Sequence, residues 1–143
     1  MTVQQWLVPL APEFILLAGA CLSLAIGVMR VSQRAQWVSP IALATVLAAL
    51  IVTIRSDIPR GGEVLPGLWL TSLTFYVRWI TLGVGVLIVL VNWHQPAADE
   101  RGEYMSMILF SLLGVLLTAS ANDLIVLFLA IELVSIPTYV LIA

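Results

Sequence analysis

The chain has no lysine: its six basic residues are all arginine, and it has one cysteine and one histidine. Cys21 alone builds neither a disulfide framework nor a thiolate metal site, and its place inside an apolar run is that of a small hydrophobe in a packed helix. His94 has no second ligand at a metal-site spacing. Charge is scarce as well. Asp, Glu, Lys and Arg make up 10% of the 143 residues, against about a quarter in ordinary soluble domains. The net charge of −2 leaves no electrostatic footprint for nucleic acid or an acidic substrate. What is abundant is apolar surface, with 62% hydrophobic residues and a mean hydropathy of +1.11. No water-soluble globule of this size could hide that much of it.

Five apolar stretches carry it: Phe14–Met29, Trp37–Ile54, Leu73–Trp93, Tyr104–Ala121 and Leu124–Ala143. Each has about the length that crosses a hydrocarbon core of roughly 30 Å as a helix. Helix is the expected form, because lipid offers no partner to an unpaired backbone group, and a run such as GVGVLIVLV lacks the alternation of a membrane barrel. The expectation is an all-α integral membrane protein whose residues 1–143 form one transmembrane domain. The opening MTVQQWLVPLAPEF has no basic residue, and Pro9, Pro12 and Glu13 interrupt it, so it reads as a retained helix and not a secretory signal. No internal repeat or low-complexity tract is evident.

The connections are short and polar, RVSQRAQ after the first stretch and HQPAADERGE after the third. Only Ala121, Asn122 and Asp123 separate the fourth and fifth, and Asn122 or Asp123 can cap the last helix. The exception is RSDIPRGGEVLPGLWLTS, whose two prolines and three glycines predict an irregular or hairpin-like loop outside the membrane. Arg30, Arg34 and Arg101 fall on one side and Arg55 and Arg60 on the other, so the positive-inside rule favours an outside N-terminus by three to two. The aromatic residues do not strengthen that vote: Trp37, Trp93 and Tyr104 lie at helix ends on one face and Trp6 and Trp69 near the other. Gly19, Ser23 and Gly27, and likewise Ser111, Gly114, Thr118 and Ala121, recur at helical spacing as close-packing faces.

Glu132 is the main chemical signal. It lies eight residues into LIVLFLAIELVSIPTYVLIA, about 12 Å from the helix start at 1.5 Å per residue. An ionised side chain there costs on the order of 2.5–3.5 kcal/mol, and desolvation favours its neutral form unless a cation is near. A carboxyl group that changes charge with its partner suits proton transfer. Ser135 and Tyr139 share its face, so this polar stripe is expected to look into a helix bundle and not at lipid. Pro137 lacks an N–H and is expected to bend the helix and free the Leu133 carbonyl. Arg78 lies inside the third span, where it can pair with a carboxylate or snorkel to the near interface, the latter being the expected fate. His94, Asp99, Glu100, Arg101 and Glu103 read as a solvated turn, and Glu13 as an acid favoured by the positive end of the first helix. The chain has no phosphate-binding glycine loop, no nucleophile with its base, and no haem or iron–sulfur ligand set.

The stretch from Glu103 to Ala143 resembles the subunit N family of proton-pumping NADH:quinone oxidoreductase, bacterial respiratory complex I. That family's fourth and fifth helices read much like EY…LF…LG…ASANDL…LFL…ELxSxPxYVL, and LAPEFILLAGACLSL is similar to its LxPE opening. Residues 30–100 match in hydropathy and helix count only. The resemblance implies the N-terminal part of an antiporter-like subunit of about fourteen helices, with the outer side as the place of the N-terminus in the bacterial inner membrane. It implies that Glu132 pairs with a seventh-helix lysine, which would lie beyond Ala143; the chain is accordingly expected to be truncated there, without a complete proton channel of its own. It also implies a contribution to proton translocation coupled to electron transfer from NADH to quinone. NADH, FMN, iron–sulfur clusters and quinone would belong to partner subunits, with no cofactor and no redox catalysis in this chain. A small cation/proton antiporter or transporter, and a structural membrane subunit, are the competing expectations.

Overall fold

A computed structural model describes residues 8–29, 32–56, 62–94 and 100–142, with side chains 32–35 excepted. Trp6, Arg30, Arg60, Asp99 and the Arg34 side chain lie outside that description. Five helices follow one another: α1 (Ala11–Val28), α2 (Ser32–Arg55), α3 (Ser72–Val91), α4 (Arg101–Ser120) and α5 (Leu124–Ile142). All five contain a segment long and apolar enough to cross a membrane. Between α2 and α3 the chain makes a two-stranded antiparallel hairpin, β1 (Gly62–Leu65) and β2 (Leu68–Leu70).

Helix α1 starts at Ala11, earlier than its apolar run, because Pro12 sits in the first turn, where its missing N–H removes no helical hydrogen bond. Helix α4 likewise begins at Arg101, since the polar residues before Tyr104 are already wound into its first turn. Thr71 caps α3 reciprocally with Thr74: the Thr74 N–H donates to Thr71 Oγ1, and the Thr71 N–H to Thr74 Oγ1, both at 3.3 Å. At the start of α5 the Ile125 N–H donates to Asp123 Oδ1 at 3.4 Å, so Asp123 is the capping residue.

Helix α4 is the hub, packing against each of the other four, whereas α5 packs chiefly against α4. Each inner helix shows the core one stripe at three- and four-residue spacing: Leu16, Ala20 and Ser23 on α1, Val38, Ala42, Val46 and Ala49 on α2, and Leu82, Gly85 and Val89 on α3. These close on Met105, Leu109, Leu112 and Leu116 of α4. The small residues do what their spacing predicts. A Cβ on Gly102 would stand 2.3 Å from the Gly27 Cα, so α1 and α4 cross backbone to backbone there. One on Gly19 would strike Thr45 of α2, and one on Gly114 would strike Val134 of α5.

The hairpin turns through Pro66 and Gly67, the latter with φ +85°. Proline followed by a glycine in the left-handed region is the signature of a type II turn. The turn rests on the α4–α5 corner: the Asn122 N–H donates to the Gly67 carbonyl at 2.8 Å, and Leu68 forms a β-bridge with Ala121. Thr74 Oγ1 also donates to the Ala119 carbonyl at 3.0 Å, so the start of α3 is tied to the end of α4.

Candidate functional site

Glu132 lies in the middle of α5, eight residues from its start, and is half-buried. Two hydroxyls flank it on the same helix. Ser135 Oγ donates to the Ile131 carbonyl at 2.9 Å and Thr138 Oγ1 to the Val134 carbonyl at 2.7 Å, so both spend their protons locally. Pro137 is buried, and α5 continues past it to Ile142. Glu132 makes no hydrogen bond or ion pair among the described residues.

The expectation that the polar stripe looks into a bundle is not met by these five helices. Ser135 is half-buried and Tyr139 is 71% exposed. On α5 only Ala130 and Pro137 are buried, because that helix leans on α4 alone and turns its other sides outward. Leu124, Ile125, Phe128, Leu129 and Ile136 are exposed with them.

Arg78 departs from the reading that it snorkels to the interface. Its Nη2 donates to Glu13 Oε1, and both side chains are buried, Arg78 at 4% and Glu13 at 5% exposure. The cause lies in the helix faces. Thr74, Arg78, Leu82, Gly85 and Val89 form the buried stripe of α3, and Glu13 falls on the stripe of α1 that holds Leu16, Ala20 and Ser23. Each charge therefore points into the packed seam, where the other is the available counter-ion. Glu13, read from the sequence as an acid serving the helix end alone, is half of an ion pair joining residues 65 apart. The signal was present in the stripe spacing of each helix, but nothing in a single sequence says that α1 and α3 meet.

The mixed-charge turn keeps His94 and Glu103 exposed. No group of three or more metal-ligating side chains occurs among the described residues.

No protein-family profile matches the chain. It is, however, 33% identical over 139 residues to NADH-quinone oxidoreductase subunit N of Geobacillus kaustophilus, an alignment covering 92% of this chain and 28% of that protein. Against the subunit N of Rhodospirillum rubrum it is 30% identical over 148 residues, covering all of this chain and 30% of that protein. The chain is homologous to subunit N of NADH-quinone oxidoreductase. A further relative is F(420)H(2) dehydrogenase subunit N of Methanosarcina mazei, 29% identical across 92% of this chain and 29% of that protein. The chain thus spans a little under a third of the length of these subunit N relatives. It is a multi-pass, all-α membrane protein to which the hairpin adds a small β element.

Proposed function

We propose that this chain is part of a membrane-arm subunit of a proton-translocating NADH:quinone oxidoreductase, and that Glu132 is its charge-bearing working residue. The observation that supports this reading most is the state of Glu132: a carboxyl group in the middle of the fifth span, half-buried, with no partner among the described residues. A mid-span carboxylate left against lipid costs on the order of 2.5–3.5 kcal/mol. A cation brought to the open face of α5 by further helices, in an antiporter-like arrangement of about fourteen, would offset that cost. When the cation is close Glu132 holds it charged, and when the two separate both can exchange protons. Ser135 and Tyr139, three and seven residues on, would line the same contact.

Electron transfer from NADH to quinone, with FMN and iron–sulfur clusters, then belongs to partner subunits, and this chain contributes to proton translocation only. The location is the bacterial inner membrane, with the N-terminus on the outer side as the arginine count favours. The M. mazei relative named for F(420)H(2) dehydrogenase supports a second reading of the electron input: a membrane subunit of this type serves with another donor module, so the donor is set elsewhere.

The test is Glu132→Gln in the intact complex, which keeps the side chain's size and removes its charge. Proton translocation per electron pair should fall while subunit assembly is retained. Undiminished pumping in an assembled complex would sink the assignment.

A further inference from the structure

Between α1, α2, α3 and the hairpin lies a cleft of about 690 Å³, within the roughly 300–1,000 Å³ of ordinary small-molecule sites. Val52 of α2, Leu70 of β2 and Phe75 of α3 give it apolar walls, and Arg55, Ser56 and Glu63 bring polar groups to it. Arg78 also lines it, but its charge is met by Glu13. Arg55 is the last residue of α2 and Glu63 the second of β1, so both stand at the hairpin end of the bundle. Both are exposed, and neither side chain makes an ion pair or hydrogen bond with the other or with any described residue. The cleft thus carries two opposite charges that do not neutralise each other.

The aromatic residues set the level of that end in the bilayer. Trp69, Tyr76 and Trp79 are exposed, and Phe75 in the cleft wall packs edge-on against Tyr76 with ring centroids 6.1 Å apart. Tyr76 lies four residues past the start of α3, about 6 Å along the axis. Trp69 stands opposite Glu63 in the hairpin ladder, so the two side chains share one side of the ribbon. Tyr and Trp gather where lipid headgroups meet hydrocarbon. Arg55 and Glu63 are therefore at headgroup depth, and the apolar wall formed by Val52, one turn back along α2, lies inward of them.

An occupant that satisfies this cleft needs an anion for Arg55, a cation for Glu63 and an apolar tail for the walls. A phospholipid with a phosphoethanolamine headgroup has all three. Its phosphate oxygens accept from the Arg55 guanidinium, whose planar fork of donors suits phosphate. Its ammonium donates to the Glu63 carboxylate and to Ser56 Oγ, whose own proton goes to the Val52 carbonyl at 2.8 Å. A phosphatidylglycerol headgroup matches Arg55 but sets its phosphate against Glu63 with no cation between them.

We infer that this cleft binds one phosphatidylethanolamine-type lipid, with Arg55 and Glu63 reading the two charges of its headgroup. The site lies on α2, α3 and the hairpin and makes no use of Glu132 on α5, so the two assignments stand or fall separately.

Photo-crosslinking in the intact protein, reconstituted in phosphatidylcholine vesicles, tests the site. The vesicles carry a trace of phosphatidylethanolamine or of phosphatidylglycerol, each with the same diazirine in one acyl chain close to the glycerol, and labelled residues are mapped by mass spectrometry. The phosphatidylethanolamine probe should label Val52 and Phe75 about threefold more than the phosphatidylglycerol probe, as befits one exposed ion pair. Glu63→Gln should abolish that preference, and Arg55→Gln should lower labelling by both probes. Both residues are exposed, and the comparison of the two probes in the unchanged protein needs no variant at all. Equal labelling by the two probes there, or a preference that survives Glu63→Gln, overturns the site. So does a cleft left unlabelled while outer faces of the bundle are labelled, which means that another helix or subunit covers it.

Discussion

The carbonyl of Gly67 accepts the N–H of Asn122 at 2.8 Å, so the tip of the hairpin and the corner between α4 and α5 are one structural unit. The bond fixes the level at which α5 starts and thereby the depth of Glu132, eight residues further on. Gly67 can do this because its φ of +85° suits glycine and because it has no side chain to meet Val126.

Gly67→Ala should accordingly destabilise the protein. Its Cβ would lie 2.9 Å from Val126 Cγ2 and 3.3 Å from Asp123 Cβ, and the left-handed backbone adds about 1–2 kcal/mol. The midpoint of thermal unfolding in detergent should drop. An unchanged midpoint would mean that the hairpin does not bear on α5.

The contact between Gly27 and Gly102 makes a sharper contrast possible. Gly102→Ala drives a methyl group into the Gly27 backbone at 2.3 Å, where no side chain can move aside, so α1 must separate from α4. Gly83→Ala meets nothing within 4 Å and lies inside α3, where alanine gains up to about 1 kcal/mol of helix propensity. The first should lower folded yield and the second leave it equal or better. Equal behaviour of the two would show that the close crossing contributes little.

For Glu13 and Arg78 the expected result is strong non-additivity. Removing either charge leaves the other buried and unpaired, at a cost of about 3–5 kcal/mol, whereas replacing both by apolar groups of similar size is often neutral. Glu13→Leu and Arg78→Met should each destabilise the protein, and the double variant should lose far less than the sum of the two single losses. Additive losses in a denaturation series would argue that the two residues are not coupled.

The five spans were legible in the sequence because apolar length is a strong signal, and the loop with Pro66 and Gly67 was legible as a turn for the same local reason. The starts of α1, α2 and α4 were not, since hydropathy marks where lipid contact begins and not where the first turn winds; Pro12 and Arg101 lie in polar turns that are already helical. Arg78 was singled out, but its partner was not, because pairing residues 65 apart depends on which helices touch. Glu132 was singled out from its position alone. The face it presents was read as turned into a bundle, yet among the described residues α5 meets only α4 closely.

The three-residue corner between α4 and α5 also bears on how the protein is made. With almost no chain between them, the two spans cannot enter the bilayer one after the other with a loop parked outside; they must partition as a single helical hairpin. Helix α5 is the most apolar of the five, with a mean hydropathy of 2.4, while α4 has the lowest at 1.6. The fifth span thus supplies the driving force for a joint insertion step that carries both its own acid and its more polar neighbour past the translocation machinery.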